Sequence, residues 1–156
     1  MKRLLFLSAI SFLWVASFAQ SDKTAQRQAN FNVASKQLGI KGYDPVAYFT
    51  EGKAKEGKAS FTASYQGINY YFESAANRDL FKANPAKYEP QYGGWCAYAM
   101  GNDGSKVEVD PETFKIENGK LYLFYNKFFN NTKKSWDKDE ARLMKNADAN
   151  WAKTFK

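Results

Sequence analysis

A single cysteine, Cys96, in 156 residues rules out any internal disulfide, so whatever this chain folds into must be held together without a covalent cross-link of its own. The means are present: 44% of the residues are hydrophobic and 17% are aromatic, enough for one domain with a real core and too little chain for two. The cysteine sits in the densest stretch of the sequence, Pro90-Gln91-Tyr92-Gly93-Gly94-Trp95-Cys96-Ala97-Tyr98, beside a glycine pair and three aromatic rings. A glycine pair lets the backbone turn left-handed or approach a neighbour closely, and Trp95 and Tyr98 can wall off whatever lies beside the thiol. The chain has no histidine. That absence excludes Ser-His-Asp and Cys-His hydrolysis, His-ligated zinc and proximal-His haem.

Residues 1–19 read as a secretory signal peptide. Lys2-Arg3 form the basic start, Leu4 to Val15 an apolar run too short to span a bilayer, and Ser17-Phe18-Ala19 a small-residue cleavage site. The expectation is an exported protein, periplasmic or secreted, that begins near Gln20 and has no membrane span. Losing Lys2 and Arg3 leaves the mature chain two charges less basic than the +7 of the full sequence. The lysines are interleaved with acids and polar residues, so no nucleic-acid partner is expected, and anionic lipid or polysaccharide surfaces suit the charge better.

Periodicity predicts the elements. Residues 20–38 form an N-terminal helical segment with Ala25, Ala29, Val33 and Leu38 on one face and Gly39 as its stop, and residues 39–156 form a single domain with a C-terminal helical extension. Val46-Ala47-Tyr48-Phe49 suits a short buried strand. Alternation from Ala59 to Tyr65 and from Ile68 to Phe72 around Gln66-Gly67 gives a hairpin, Ser74 caps a helix from Ala75 to Ala83, and Trp95 to Met100 reads as another buried strand. Asn118-Gly119 between Phe114-Lys115-Ile116 and Leu121-Tyr122-Leu123-Phe124-Tyr125 is the dipeptide preferred in tight hairpins. From Phe128 to Phe155 the chain reads as helical, with Trp136, Leu143, Ala147 and Trp151 in one apolar stripe. The sum is an α+β fold: a small antiparallel sheet built from hairpins, a short central helix and a helical C-terminal tail.

Several motifs, in order, resemble the YHS-domain family, and in particular an exported branch with a Gly-Gly-x-Cys-Ala segment. They are Gly42-Tyr43-Asp44-Pro45-Val46-Ala47-Tyr48-Phe49, Tyr71-Phe72-Glu73-Ser74-Ala75-Ala76-Asn77, Asn84-Pro85-Ala86-Lys87-Tyr88, Tyr92-Gly93-Gly94-Trp95-Cys96-Ala97 and Ala147-Asp148-Ala149-Asn150-Trp151. In metal-associated YHS modules the resemblance implies thiol ligands at the positions held here by Ala47, Glu73 and Asn77. Those thiols are absent from this chain.

The residues themselves leave Cys96 four roles: a buried hydrophobe, an intermolecular bridge, a thiolate ligand or a reactive thiol, the last with Arg78 or Lys87 as candidate activating cations. The expected site is a pocket around Tyr43, Asp44, Glu73, Trp95 and Cys96 in an exported, non-catalytic module that binds a small ligand or a soft metal ion. Copper or zinc would be held by Cys96, with Met100 or Glu73 as further donors. The aromatic residues suit a flat or sugar-like ligand. The alternatives are a single-cysteine thiol redox protein with Cys96 as its one catalytic residue, and a structural or interaction protein of the cell envelope in which Cys96 is inert.

Overall fold

The computed structural model describes residues 22–155. The expected signal peptide lies outside the described residues. The chain opens with helix α1 over 22–30, followed by two-residue strands β1 (Val33–Ala34) and β2 (Leu38–Gly39), helix α2 (Ala47–Thr50), strands β3 (Lys58–Tyr65) and β4 (Ile68–Phe72), and helices α3 (Ala75–Ala83) and α4 (Pro85–Tyr88). Helix α5 (Ala97–Asn102), strands β5 (Asp110–Glu117), β6 (Lys120–Phe124), β7 (Asn126–Lys127) and β8 (Asn130–Asn131), and helices α6 (Thr132–Trp136) and α7 (Glu140–Lys153) complete it. The architecture is α+β with small sheets and a helical C-terminal tail, as the pattern predicts. The main sheet runs β1-β2-β4-β3, antiparallel except where Leu38 of β2 pairs in parallel with Asn69 of β4.

Four expectations are corrected. The N-terminal helix ends at residue 30 and does not reach Leu38: Asn32 donates its backbone N–H to the Gly93 carbonyl (2.9 Å), and the chain then turns through Lys36 and Gln37 at positive φ into β2. Val46–Phe49 begins a helix, because Asp44 Oδ1 accepts from the backbone N–H groups of Val46 (2.8 Å) and Ala47 (3.3 Å) and so starts a helical turn. Trp95–Met100 is a strand only at Cys96, which bridges in parallel to Leu123; from Ala97 it is helix α5. Short apolar runs of this length fit a buried strand and a buried helix equally well. The tail is likewise interrupted, with the hairpin β7–β8 preceding two separate helices.

Strand β6 divides the interior. Its alternate residues face opposite ways, Leu121 and Leu123 into a core with Val46, Tyr48, Ile68, Tyr70, Phe72 and Phe81, and Tyr122 and Phe124 into a second core with Met100, Trp136, Leu143 and Ala147. The predicted stripe of α7 is therefore the one that packs, with Leu143 and Ala147 buried. Lys115 of β5 binds Glu140 Oε2 (2.6 Å), and the Trp136 indole N–H donates to Glu140 Oε1 (3.0 Å), fixing the start of α7 to the sheet.

Helices α5 and α7 meet at Gly101, where a Cβ would lie 2.4 Å from the Leu143 carbonyl oxygen. That neighbour is backbone and cannot rotate away. Gly101→Ala is therefore expected to push the helices apart and cost about 1–3 kcal/mol, measurable by denaturant unfolding, whereas Gly119→Ala meets no atom within 4 Å and bears only the cost of its left-handed backbone.

Candidate functional site

The five predicted site residues fall into separate hydrogen-bond neighbourhoods. Asp44 and Glu73 are adjacent, with the Glu73 backbone N–H 2.9 Å from Asp44 Oδ2. Tyr43 neighbours them in sequence, but its hydroxyl donates to Glu112 (3.2 Å); burial, reinforced by that carboxylate, pushes its pKa up. Trp95 turns away to donate its indole N–H to the Asn30 carbonyl (2.7 Å) at the end of α1. Cys96 is fully buried. Its Sγ accepts the Tyr125 backbone N–H (3.4 Å) and lies 3.4 Å from the Thr132 hydroxyl, forming the floor of a cleft of about 290 Å³ lined by Tyr98, Val107, Tyr125 and Thr132. Arg78 pairs with Asp79 and Lys87 sits over the Tyr88 ring, each engaged elsewhere.

Asp44 is a structural node. Its fully buried carboxylate receives four donors: Val46 and Ala47 N–H on Oδ1, and Glu73 N–H with the Asn77 side-chain amide (2.7 Å) on Oδ2. Four donors fill the four lone-pair sites of a carboxylate and leave none for a ligand. The Glu73 side chain is held by Lys55 at 3.0 and 3.3 Å.

A larger cleft, about 380 Å³, opens where three distant segments meet: α1 and Phe31, the turn from Glu89 to Gly93, and α7 at Asp148 and Trp151. The turn exists because Tyr92, Gly93 and Gly94 all take positive φ. Gly93 also lacks a side chain for a steric reason, since a Cβ there would stand 2.8 Å from the Trp151 ring and 3.0 Å from that of Phe31. Phe31 and Trp151 pack edge to face, with centroids 5.8 Å apart. Arg27 lies 4.2 Å over the Phe31 ring and 5.5 Å from the Tyr65 ring centroid, and its Nη2 binds Glu89 Oε1 at 2.6 Å. The same oxygen accepts the buried Tyr70 hydroxyl (2.7 Å), so among the described residues Glu89 Oε2 has no protein donor. Burial pushes the Glu89 carboxyl above its ordinary value against the pull of Arg27 and Tyr70, so the folded chain holds that proton longer, and stability from this group falls as pH rises through the raised value. On the opposite wall Asp148 accepts the Tyr92 hydroxyl at 3.0 Å. A second hollow of about 370 Å³ continues the cleft past Arg27, Phe31 and Trp151 to Phe155.

None of Arg27, Phe31, Glu89, Asp148 or Trp151 was a predicted site residue. Asp148 and Trp151 carried a signal in the run Ala147-Asp148-Ala149-Asn150-Trp151, a family-like motif that the helix stripe accounts for only in part; Arg27, Phe31 and Glu89 lie in no motif the sequence offers.

With this geometry in view, comparison with known proteins gives one family. Residues 46–92 match the YHS domain. The YHS-like segment thus runs from the start of α2 to Tyr92 in the wall of the cleft, and stops short of Gly93-Gly94-Trp95-Cys96-Ala97. No curated protein and no solved structure matches the chain.

The positions where the YHS resemblance implies thiols do converge, and they converge on Asp44: the backbone N–H groups of Ala47 and Glu73 and the side chain of Asn77 all reach its carboxylate. A methyl group, a lysine-paired carboxylate and an amide spent on Asp44 do not make a soft-metal donor set. Among the described residues no group of three His, Cys, Asp or Glu side chains could hold a metal ion. The residues present do not fit the metal, and Asp44 fills the same crossing with hydrogen bonds. Asp44→Ala, which orphans four donors, is expected to cost about 3–5 kcal/mol in denaturant unfolding, while dialysis against chelators leaves the wild-type melting temperature unchanged.

Proposed function

We propose that this chain is an exported, periplasmic or secreted YHS-like module that binds a small uncharged ligand, without catalysis, in the cleft between α1, the Glu89–Gly93 turn and α7. The observation that carries this reading is the side-by-side pairing of Arg27 and Glu89 on a wall of aromatic rings. Glu89 Oε2 offers an acceptor and the Arg27 guanidinium a donor, beside the faces of Phe31, Tyr65 and Trp151. The walls interleave aromatic faces with convergent polar groups, one of them titrating away from its usual range, an arrangement that suits a small polar ligand. A sugar-like ring, with one flat C–H face and neighbouring hydroxyls that both donate and accept, fits these walls. The paired charges cancel, which favours a neutral ligand over an ion.

A second reading, thiol redox chemistry at Cys96, draws on the Tyr125 N–H, which donates to the Cys96 sulfur at the floor of the smaller cleft; the nearby Thr132 hydroxyl spends its one proton on the Tyr125 carbonyl. Burial argues against it. Alkylation of the native protein by iodoacetamide is expected to be at least tenfold slower than that of the denatured chain at the same pH, and a native rate equal to the denatured one would restore the redox reading.

The binding reading is tested by ¹⁹F NMR of 5-fluorotryptophan-labelled protein against a panel of mono- and disaccharides and uncharged heteroaromatic amides. The Trp151 signal is expected to move on titration while that of the buried Trp136 stays fixed, and Arg27→Gln should weaken the response about tenfold through loss of a charge-assisted hydrogen bond. A Trp151 signal that stays put across the whole panel would overturn it.

A further inference from the structure

Strands β7 and β8 form a hairpin whose two-residue tip is Phe128-Phe129, and both phenylalanines take positive φ, 51° and 63°. Tips of this geometry are the preserve of Asn-Gly and similar pairs, and the chain uses Asn118-Gly119 for another. For a bulky aromatic residue the left-handed region is a genuine outlier. Nothing among the described residues compensates, since Phe128 is 89% and Phe129 110% exposed, far beyond Leu80 and Phe155, also exposed, at 45% and 38%.

The hairpin is also held firmly at its base. Asn126 pairs with Asn131 and Lys127 with Asn130, the Thr132 hydroxyl donates to the Tyr125 carbonyl (2.9 Å), the Tyr125 N–H reaches Cys96 Sγ, and the Asn126 amide donates to the Thr113 hydroxyl (2.9 Å). Two strained, bare rings on a braced stalk are built to enter something outside the molecule.

Charge identifies what that is. From residue 118 to residue 136 the sequence has four lysines, Lys120, Lys127, Lys133 and Lys134, and no acid. Lys133 is paired with Asp137, while Lys127, immediately before the tip, and Lys134, five residues after it in α6, have no acidic partner among the described residues. The geometry points to an anionic lipid surface: Phe128 and Phe129 insert at the boundary between headgroups and acyl chains while Lys127 and Lys134 face the anionic headgroups, so that the module is a peripheral membrane protein. Among the described residues no helix is long and apolar enough to cross a membrane, and the two rings reach only the interfacial layer. This inference is independent of the ligand cleft.

The test is co-sedimentation of the purified chain with vesicles of phosphatidylcholine alone or mixed 3:1 with phosphatidylglycerol, read as a partition coefficient. Binding is expected on the anionic vesicles and to weaken with salt. The double variant Phe128→Asn/Phe129→Gly installs the preferred turn pair, so its melting temperature should hold or rise while partitioning falls roughly a hundredfold. Lys127→Gln/Lys134→Gln should lower it by roughly fivefold per lysine. Wild-type protein that ignores anionic vesicles, or a double variant that binds them as well as wild type, overturns the proposal. So does a phenylalanine-dependent dimer in sedimentation velocity without lipid, which would assign the tip to a second copy of the chain.

Discussion

A carboxylate buried with no cation beside it survives only where every lone pair has a donor, and Asp44 meets that condition with four N–H groups from three elements. Each donor does a second job. The Val46 and Ala47 amides are the N-cap and first residue of α2, the Glu73 amide directly follows β4, and Asn77 lies in the first turn of α3, whose N-cap is Ser74. One side chain therefore fixes the angle between two helices and the strand that leads from one to the other, and the first core closes behind it.

The two clefts divide the remaining chemistry by what their floors are made of. Beneath the smaller lies Cys96, whose sulfur holds together the Tyr125 amide and the Thr132 hydroxyl at the foot of the β7–β8 hairpin. The larger cleft rests on Gly93, which has no side chain, and its walls are rings and paired charges. The first arrangement spends its polar groups on the protein itself. The second leaves an acceptor at Glu89 facing outward, which is why the ligand reading belongs there.

Much of the fold was legible because local chemistry and tertiary demand agreed. Gln66-Gly67 and Asn118-Gly119 supply the positive φ their hairpins need, and Ser74 accepts the Asn77 amide as a helix cap should. Val46–Phe49 and Trp95–Met100 were misread because four to six apolar residues carry no period long enough to tell strand from helix, and the deciding contact, Asp44 to Val46 and Ala47, is one of hydrogen bonding and not of hydrophobicity. Tyr43, Asp44, Glu73, Trp95 and Cys96, grouped by motif, take their hydrogen-bond partners from separate neighbourhoods. Proximity in a motif says nothing of direction, and Trp95 and Cys96 are consecutive residues that face different partners, Asn30 and Thr132. The cleft itself was hidden because its residues come from the beginning, middle and end of the chain.

That last fact has a kinetic side. Phe31 and Trp151 come from near opposite ends of the described chain, and Gly93 between them is the surface on which they meet. Contacts of such long sequence separation repay their loop-closure entropy only after the intervening chain is ordered, so they belong late in folding. A chain emerging from synthesis can complete both strands of its first hairpin, cap α3 and close the Asp44 crossing while α7 is still missing. The cleft is therefore the last feature to form, and a molecule cut short within its final helix would keep most of its first core while having no cleft.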